Sequence, residues 1–212
     1  MRIIMIRHAE ASCNILHDAS LIEAYDPLCE LTELGVKQAM LLRERFPSTL
    51  TPTIMFTSPY KRALETANIF RQRFPVALSH DERLGEVRAP SRFDPPITQL
   101  QWDMLLHERF RSPDQEVIRD LESLKSQRER VVGFCQELLD QYGHDSTANV
   151  IVFTHAFCIQ LALLHFMKLD NDNLLQWQFK MSNTGMHMIK YEHDAGTFLI
   201  ESINNKIHLE QI

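Results

Sequence analysis

Short apolar runs and segments of helical spacing alternate along the chain. The apolar runs are rich in β-branched residues and typical of strands buried on both faces; they lie at 3–6, 53–56, 76–78 and 150–153. Apolar residues at intervals of three and four predict helices at about 33–46, 59–73, 98–110, 114–142 and 156–167. Two further runs, 186–191 and 198–203, flank the turn sequence His193-Asp194-Ala195-Gly196 and predict a hairpin.

This order of elements indicates the fold class. Strands that alternate with helices form a mainly parallel sheet with helices on both faces, so we expect a three-layer α/β/α architecture. The length of 212 residues is that of one domain, which we expect to span 1–212. The segment 87–112 is rich in arginine and aromatic residues, and we expect it to be an insert that either covers the active site or packs on the surface.

Composition narrows the class of function. The formal net charge is −6 and the pI is about 5.9, which disfavours nucleic acid or an anionic membrane as partner. The first apolar run is too short for a signal peptide, and no 18-residue apolar stretch occurs, so we expect a cytoplasmic protein. The four cysteines, Cys13, Cys29, Cys135 and Cys158, lack paired spacing, and we expect reduced thiols.

Polar residues that follow three of the strands suggest one site. Arg7-His8 follows the first strand, Ser58 the second with Arg62 one turn later, and His155 the fourth. Taken alone, each is ordinary, because single histidines and helix arginines are common structural residues. Ligands collect at the carboxyl ends of parallel strands, however, so the three positions together predict an anion site beside a nucleophile or base.

The motifs in order resemble the histidine phosphatase family, which includes the cofactor-dependent phosphoglycerate mutases. The matching segments cover essentially the whole chain: IIMIRHAEASCN, LTELGVKQA, TSPYKRALETA, LGEV, VIVFTHA and the tail SNTGMHMIKY with INNKIHL. The resemblance implies a phosphoglycerate mutase-like fold and a phosphomonoesterase that needs neither metal nor cofactor. Its substrate would be a phosphorylated small molecule or phosphoprotein, and the oligomeric state is left open.

The resemblance also assigns roles within the predicted site. His8 would attack phosphorus and form a phosphohistidine, which water then hydrolyses. Arg7 and Arg62 would clamp the non-bridging oxygens, and His155 and Asn14 would add hydrogen bonds. Positioning and charge stabilisation of this kind account for most of the catalysis of phosphoryl transfer.

Glu86 would be the general acid that protonates the leaving oxygen. On sequence alone the alternative interpretation of Glu86 is a loop surface charge, and Asp81, Glu82 and Glu10 are nearby alternatives for the acid. Glu122, followed by Ser123, resembles a further family motif but fits an ordinary helix face at least as well.

The chain departs from the family at a few positions. Ala9 and Ala156 stand where glycine usually follows each histidine, which we interpret as a change in pocket shape. Phe157 and Cys158 replace residues typical of mutases, which favours hydrolysis. A mutase-like phosphotransferase and a weak phospho-ligand binding protein remain alternatives, whereas a metal hydrolase lacks any HExxH or similar ligand spacing.

Overall fold

A central sheet of six strands organises the molecule, whose computed structural model describes residues 1–16, 19–22, 27–170 and 176–210. In chain order the strands are β1 (Arg2–Arg7), β2 (Leu21–Ile22), β3 (Ile54–Thr57), β4 (Leu78–His80), β5 (Ile97–Thr98), β6 (Asn149–Thr154), β7 (Met186–Glu192) and β8 (Thr197–Asn205). The central sheet has the order β4-β3-β6-β1-β7-β8, and β2 pairs with β5 in a separate two-stranded sheet. Strands β4, β3, β6 and β1 are parallel, whereas β7 and β8 form an antiparallel hairpin.

Strand register brings the predicted site together. Arg7 at the end of β1 pairs with Thr154 at the end of β6, so the next residues, His8 and His155, leave the sheet side by side. The His8 N–H continues this pairing by donating to the Thr154 carbonyl at 2.9 Å. On the other side of β6, the Ser58 N–H donates to the Phe153 carbonyl at 2.9 Å. Three strand ends therefore meet at one edge.

The described residues form the helices α1 (Glu33–Arg45), α2 (Lys61–Arg71), α3 (Gln99–Arg111), α4 (Leu124–Tyr142) and α5 (Ala156–Phe166), and all but α3 cover the two faces of the sheet. Alternate residues of the central strands face opposite cores, as in Ile3 and Met5 against Ile4 and Ile6 on β1. One core packs against α4 and α5, and the other against α1 and α2. The predicted three-layer α/β/α architecture with a mainly parallel sheet is confirmed.

The predicted helix over 114–142 is wrong in its first part. The helix α4 begins at Leu124, with Ser123 as its N-cap, and the ten residues before Leu124 are turns and coil. Asp120 has a positive φ of 63°, which a helix does not allow. The apolar spacing that suggested a helix has another cause: Leu121, Val117 and Ile118 pack in a third cluster with the buried Trp102.

Two cysteines differ from the expectation of reduced thiols, since Cys13 and Cys29 form a disulfide. The cause is a local antiparallel pairing in which Ala11 bridges Leu31 and the Ser12 N–H donates to the Glu30 carbonyl at 3.0 Å. Two residues beyond that bridge, this register sets Cys13 opposite Cys29. The remaining two, Cys135 and Cys158, are buried free thiols, and burial raises the pKa of each to about 12.

None of the helices in the described ranges is long and apolar enough to cross a membrane.

Candidate active site

His8 lies at the centre of the site and is 3 % exposed. Its Nδ1 is 2.7 Å from the Ala9 carbonyl oxygen, which can only accept, so Nδ1 carries the proton. The lone pair is therefore on Nε2, where the Arg62 Nε–H donates at 3.2 Å. Burial and then the charges of Arg62 and Arg7 hold the pKa of His8 well below its ordinary 6.5. His8 is a neutral imidazole with a basic nitrogen facing a guanidinium.

The backbone beside His8 is held by helix α2. The Ala9 N–H donates to Thr66 Oγ1 at 3.0 Å, and that hydroxyl donates to the Arg62 carbonyl at 2.7 Å. Neither Ala9 nor Ala156 has a positive φ, so alanine occupies these glycine positions of the family pattern without backbone strain.

Helix α1 supports the next residue, Glu10. The Glu10 N–H donates to Gln38 Oε1 at 2.9 Å, and the Thr32 hydroxyl donates to Glu10 Oε1 at 2.7 Å while also capping the helix. A Cβ at Gly35 would lie 1.9 Å from the Glu10 carbonyl oxygen, so only glycine fits there. The segment LTELGVKQA thus fixes the loop that follows the nucleophile candidate.

Two guanidinium groups flank His8. Arg62 is 3 % exposed, contacts His8 through Nε, and donates from Nη1 to Cys29 Sγ at 3.2 Å. Arg7 donates from Nη1 to the Met181 carbonyl at 2.5 Å. Burial lowers the pKa of Arg7, Glu86 opposes this effect, and the positive charge of Arg62 adds to it. Two guanidinium groups beside His8, one of them buried, are suited to bind an anion.

His155 lies against His8, with ring centroids 5.1 Å apart, and is the N-cap residue of α5. Its Nε2 is 2.8 Å from Ser58 Oγ, which also accepts from the Tyr60 N–H at 3.2 Å. Its Nδ1 is buried and has no hydrogen-bond partner among the described residues. Burial, followed by the charge of Arg62, keeps the pKa of His155 well below its ordinary value, so this ring too is neutral.

Glu86 reaches the same edge of the sheet. Its Oε1 accepts from Gln127 Nε2 at 3.0 Å, and its Oε2 accepts from the Phe157 N–H at 3.2 Å, in the first turn of α5. The alternative carboxylates are otherwise engaged or exposed: Asp81 pairs with Arg83 at 2.7 Å, Glu10 accepts from the Thr32 hydroxyl, and Glu82 is exposed.

The loop before Glu86 is held by a buried ion pair. Arg130 Nη1 donates to the carbonyls of Arg83 and Gly85 at 2.6 and 2.7 Å, and Nη2 donates to that of Glu86 at 3.0 Å. The Arg130 side chain pairs with Glu122 at 2.7 Å, and Glu122 also accepts from the Arg88 N–H. Glu122 is therefore not on a solvated helix face, which the sequence had left as an alternative.

Asn14 lies at the rim. It is exposed, and its Oδ1 accepts from the Ala11 N–H at 3.1 Å. The side chain of Asn183 donates to the His8 carbonyl at 3.0 Å and to Asn14 Oδ1 at 3.4 Å. Asn14 is thus linked to His8 through Asn183, whereas Arg62 and His155 contact the His8 ring directly.

A cavity of about 490 Å³ opens beside Glu86. Its walls come from α3, the first turn of α5 and residues 178–181, and its aromatic side chains are Trp102, Phe110, Phe157 and Phe179. Asp103 adds a carboxylate, and Met181, whose carbonyl accepts from Arg7, joins the cavity to the anion site. The segment 87–112 therefore supplies a wall of this cavity; whether it moves over the site as a lid stays a prediction.

Sequence reasoning missed several residues that hold the site. Gln127 and Arg130 lie outside the matching motifs, in segments without a strand-end signal, and their roles depend on three-dimensional proximity. Asn183 was visible as part of SNTGMHMIKY, but its hydrogen bond to the His8 carbonyl was not. Thr66 was visible as part of TSPYKRALETA but its hydrogen bond to Ala9 was not. Within the ranges that the structure describes, no three or more His, Cys, Asp and Glu side chains are grouped so that they could hold a metal ion.

Comparison with known proteins shows the family of the chain. The chain is 54 % identical over 211 residues to 5''-phosphoribostamycin phosphatase of Niallia circulans, with 99 % of each chain covered. It shares the fold of Bacillus stearothermophilus YhfR, with a TM-score of 0.77, 23 % identity and 99 % of both chains covered. It also shares the fold of the Entamoeba histolytica phosphoserine phosphatase crystallised with phosphoserine, with a TM-score of 0.73, 22 % identity and 98 % of both chains covered. The model of the histidine phosphatase superfamily (branch 1) matches residues 3–206. With these matches, the chain belongs to the histidine phosphatase superfamily and is a phosphatase that acts on phosphate monoesters.

Proposed function

We propose that hydrolysis by this phosphatase proceeds through a covalent phosphohistidine on His8. The observation that supports this most is the state of the His8 ring: it is buried, neutral and has its lone pair on Nε2. That nitrogen faces Arg62, so a phosphate drawn to the guanidinium groups would meet a nucleophile that needs no deprotonation.

In the first step, His8 Nε2 forms a bond to phosphorus while the bridging P–O bond breaks. The electron pair of that bond goes to the leaving oxygen, which takes the proton of Glu86 and departs as an alcohol. Arg7 and Arg62 bind the non-bridging oxygens and offset their negative charge, and His155 adds a neutral hydrogen bond. Asn14 adds a neutral contact at the rim.

In the second step, water attacks phosphorus and the P–N bond breaks, which returns its electron pair to His8 Nε2. The Glu86 carboxylate accepts the proton that water loses, so the enzyme regains its starting state and releases inorganic phosphate. The atoms and protons of the two steps balance with the substrate, water, His8 and Glu86.

Replacing His8 by alanine tests the nucleophile. We expect His8→Ala to lose phosphate release and to yield no acid-labile, base-stable phosphoprotein after a rapid quench, while still binding inorganic phosphate. The control is His144→Ala, at an exposed position far from the site. Acid-labile, base-stable phosphate trapped on His8→Ala would overturn the assignment, and phosphate transfer to an added acceptor instead of water would favour a mutase-like reaction.

For the substrate, we propose a phosphate monoester of an aminoglycoside. The support is the 54 % identity over the whole length to the 5''-phosphoribostamycin phosphatase. Ribostamycin carries amino groups that are protonated near neutral pH, and the net charge of −6 suits a cationic substrate. Its phosphate is an alkyl ester, which needs a proton on the leaving oxygen and therefore a general acid.

The cavity beside Glu86 suits the sugar rings of such a substrate. Aromatic side chains such as Trp102 and Phe157 offer flat apolar faces, and Asp103 on α3 offers a counter-charge for an ammonium group. Asp103 is half-buried and accepts from Gln99 Nε2 at 2.9 Å, which leaves its second oxygen for a ligand.

A substrate panel tests this proposal through kcat/KM for phosphate release. We expect 5''-phosphoribostamycin to exceed phosphoserine and neutral sugar phosphates. Asp103→Asn should lower kcat/KM for the aminoglycoside phosphate by about tenfold, the scale of one charged hydrogen bond. It should leave p-nitrophenyl phosphate unaffected, and Asp140→Asn, on the exposed side of α4, is the control. A preference for phosphoserine would refute the aminoglycoside assignment without touching the chemistry on His8.

A further inference from the structure

The carboxyl group of Glu86 is held by a buried side-chain relay from two helices. Gln127 on α4 is fully buried, and its Nε2 donates to Glu86 Oε1 at 3.0 Å. Arg109 on α3 is 2 % exposed, and its Nη2 donates to Gln127 Oε1 at 2.7 Å. None of the family motifs in the sequence contains Gln127 or Arg109.

The orientation of the Gln127 amide follows from its two partners. An arginine side chain only donates hydrogen bonds, so the Gln127 oxygen must face Arg109 and its NH₂ must face Glu86. The Phe157 N–H donates to the other Glu86 oxygen at 3.2 Å. Two donors from different helices therefore set the plane of the Glu86 carboxyl group and leave its remaining lone pairs for a proton.

We propose that Gln127, oriented by Arg109, is a positioning residue that aims the Glu86 carboxyl group at the leaving oxygen. The inference rests on the proposed role of Glu86 as the general acid. The neutral amide of Gln127 matters for proton donation. A guanidinium in direct contact with Glu86 would favour the ionised carboxylate and hinder proton donation. With Gln127 between them, Arg109 fixes the orientation without such contact.

The site of Arg109 explains why a buried cation is tolerated there. Burial lowers the pKa of Arg109, whereas the negative charges of Glu86 and Glu122 oppose that effect. Its guanidinium also lies 5.9 Å from the centre of the Phe157 ring. Arg109 and Trp102 belong to the same helix, and both line the cavity beside Glu86.

Gln127→Met tests the proposal, since methionine has a similar length but no donor. We expect kcat/KM for an alkyl phosphate to fall by about 10- to 100-fold, the scale of a misplaced catalytic group. The value for p-nitrophenyl phosphate, whose leaving group needs no proton, should stay near that of the unaltered protein, as should orthovanadate affinity. The control is Gln141→Met, an exposed position on the same helix.

Arg109→Lys tests the second member, because a lysine cannot reach Gln127 with the same geometry, and it carries the test alone if Gln127→Met does not fold. We expect the same selective loss on the alkyl substrate, with Arg111→Lys, exposed on the same helix, as control. Equal losses on alkyl and aryl substrates, or no loss on either, would overturn the relay.

Glu86→Gln separates the two proposals. If it loses alkyl phosphate turnover selectively but Gln127→Met does not, the relay fails and the role of Glu86 stands. If Glu86→Gln itself shows no dependence on the leaving group, the assignment of the acid fails and the relay with it.

Discussion

Arg62→Ala removes the guanidinium that contacts His8 Nε2, the proposed nucleophile, and it should slow the enzyme and change its pH dependence together. The Arg62 Nε lies 3.2 Å from His8 Nε2, and each of these two residues is 3 % exposed. Loss of one charge-stabilising donor should lower kcat/KM by about 10²- to 10³-fold, equivalent to about 2.7–4 kcal/mol of transition-state stabilisation. Arg7 remains, so the loss should not be total.

The pH effect follows from the state of His8. Burial is the largest cause of its lowered pKa, and the charge of Arg62 is the next. Removing that charge raises the pKa of His8, so protonation of the His8 ring sets in at a higher pH. We therefore expect the acid limb of the kcat/KM profile to move to higher pH in Arg62→Ala.

Arg62→Lys keeps the charge but not the forked donors. It should leave the acid limb nearer to that of the unaltered protein while recovering little of the rate. The assay is kcat/KM for p-nitrophenyl phosphate across pH, with Arg71→Ala, at an exposed position on α2, as control. An acid limb that does not move, or Arg62→Ala rates close to those of the control, would refute the reasoning.

Three smaller perturbations test other contacts. Ser58→Ala removes the partner of His155 Nε2 and should lower kcat/KM by about tenfold for alkyl and aryl phosphates alike; a loss confined to alkyl esters would contradict this. Gly35→Ala places a Cβ against the Glu10 carbonyl and should destabilise the fold by about 1–3 kcal/mol in thermal unfolding. The control Gly133→Ala, with open space on α4, should be neutral or stabilising, and equal effects of the two would count against the contact. Burial lowers the pKa of His187 to about 4. As the pH falls, this histidine is protonated in the unfolded state before it is protonated in the folded state, so the free energy of unfolding decreases between about pH 6.5 and about pH 4. His187→Leu should reduce that slope by up to about 1.4 kcal/mol per pH unit in denaturant titrations, and an unchanged slope would exclude His187 as its cause.

The strand-end residues could be predicted because the parallel sheet itself determines their position. His8 and His155 follow buried apolar runs, and once those runs pair in parallel their next residues must be neighbours. The spacing of apolar residues predicted helices less well where those residues pack against distant parts of the chain. Val117 and Leu121 have helical spacing but face the Trp102 cluster from a non-helical segment.

Contacts that depend on distant elements could not be predicted. The disulfide follows from the pairing of Ala11 with Leu31, which no cysteine spacing reveals. The relay to Glu86 needs Arg109 and Gln127 to converge from two helices, and each alone is an ordinary helix residue in the sequence. A buried polar side chain is indistinguishable from a surface one until its partners are known.

The parallel strands that carry the two histidines are also the most interior part of the sheet. β1 and β6 have neighbours on both sides, and α5, which begins beside His155, is almost completely buried. Segments of this kind open only when the whole molecule unfolds, whereas the rim and cavity walls can open locally. Heating should therefore impair selection among substrates before it impairs phosphoryl transfer, and the capacity to form the phosphoenzyme should disappear only together with the fold.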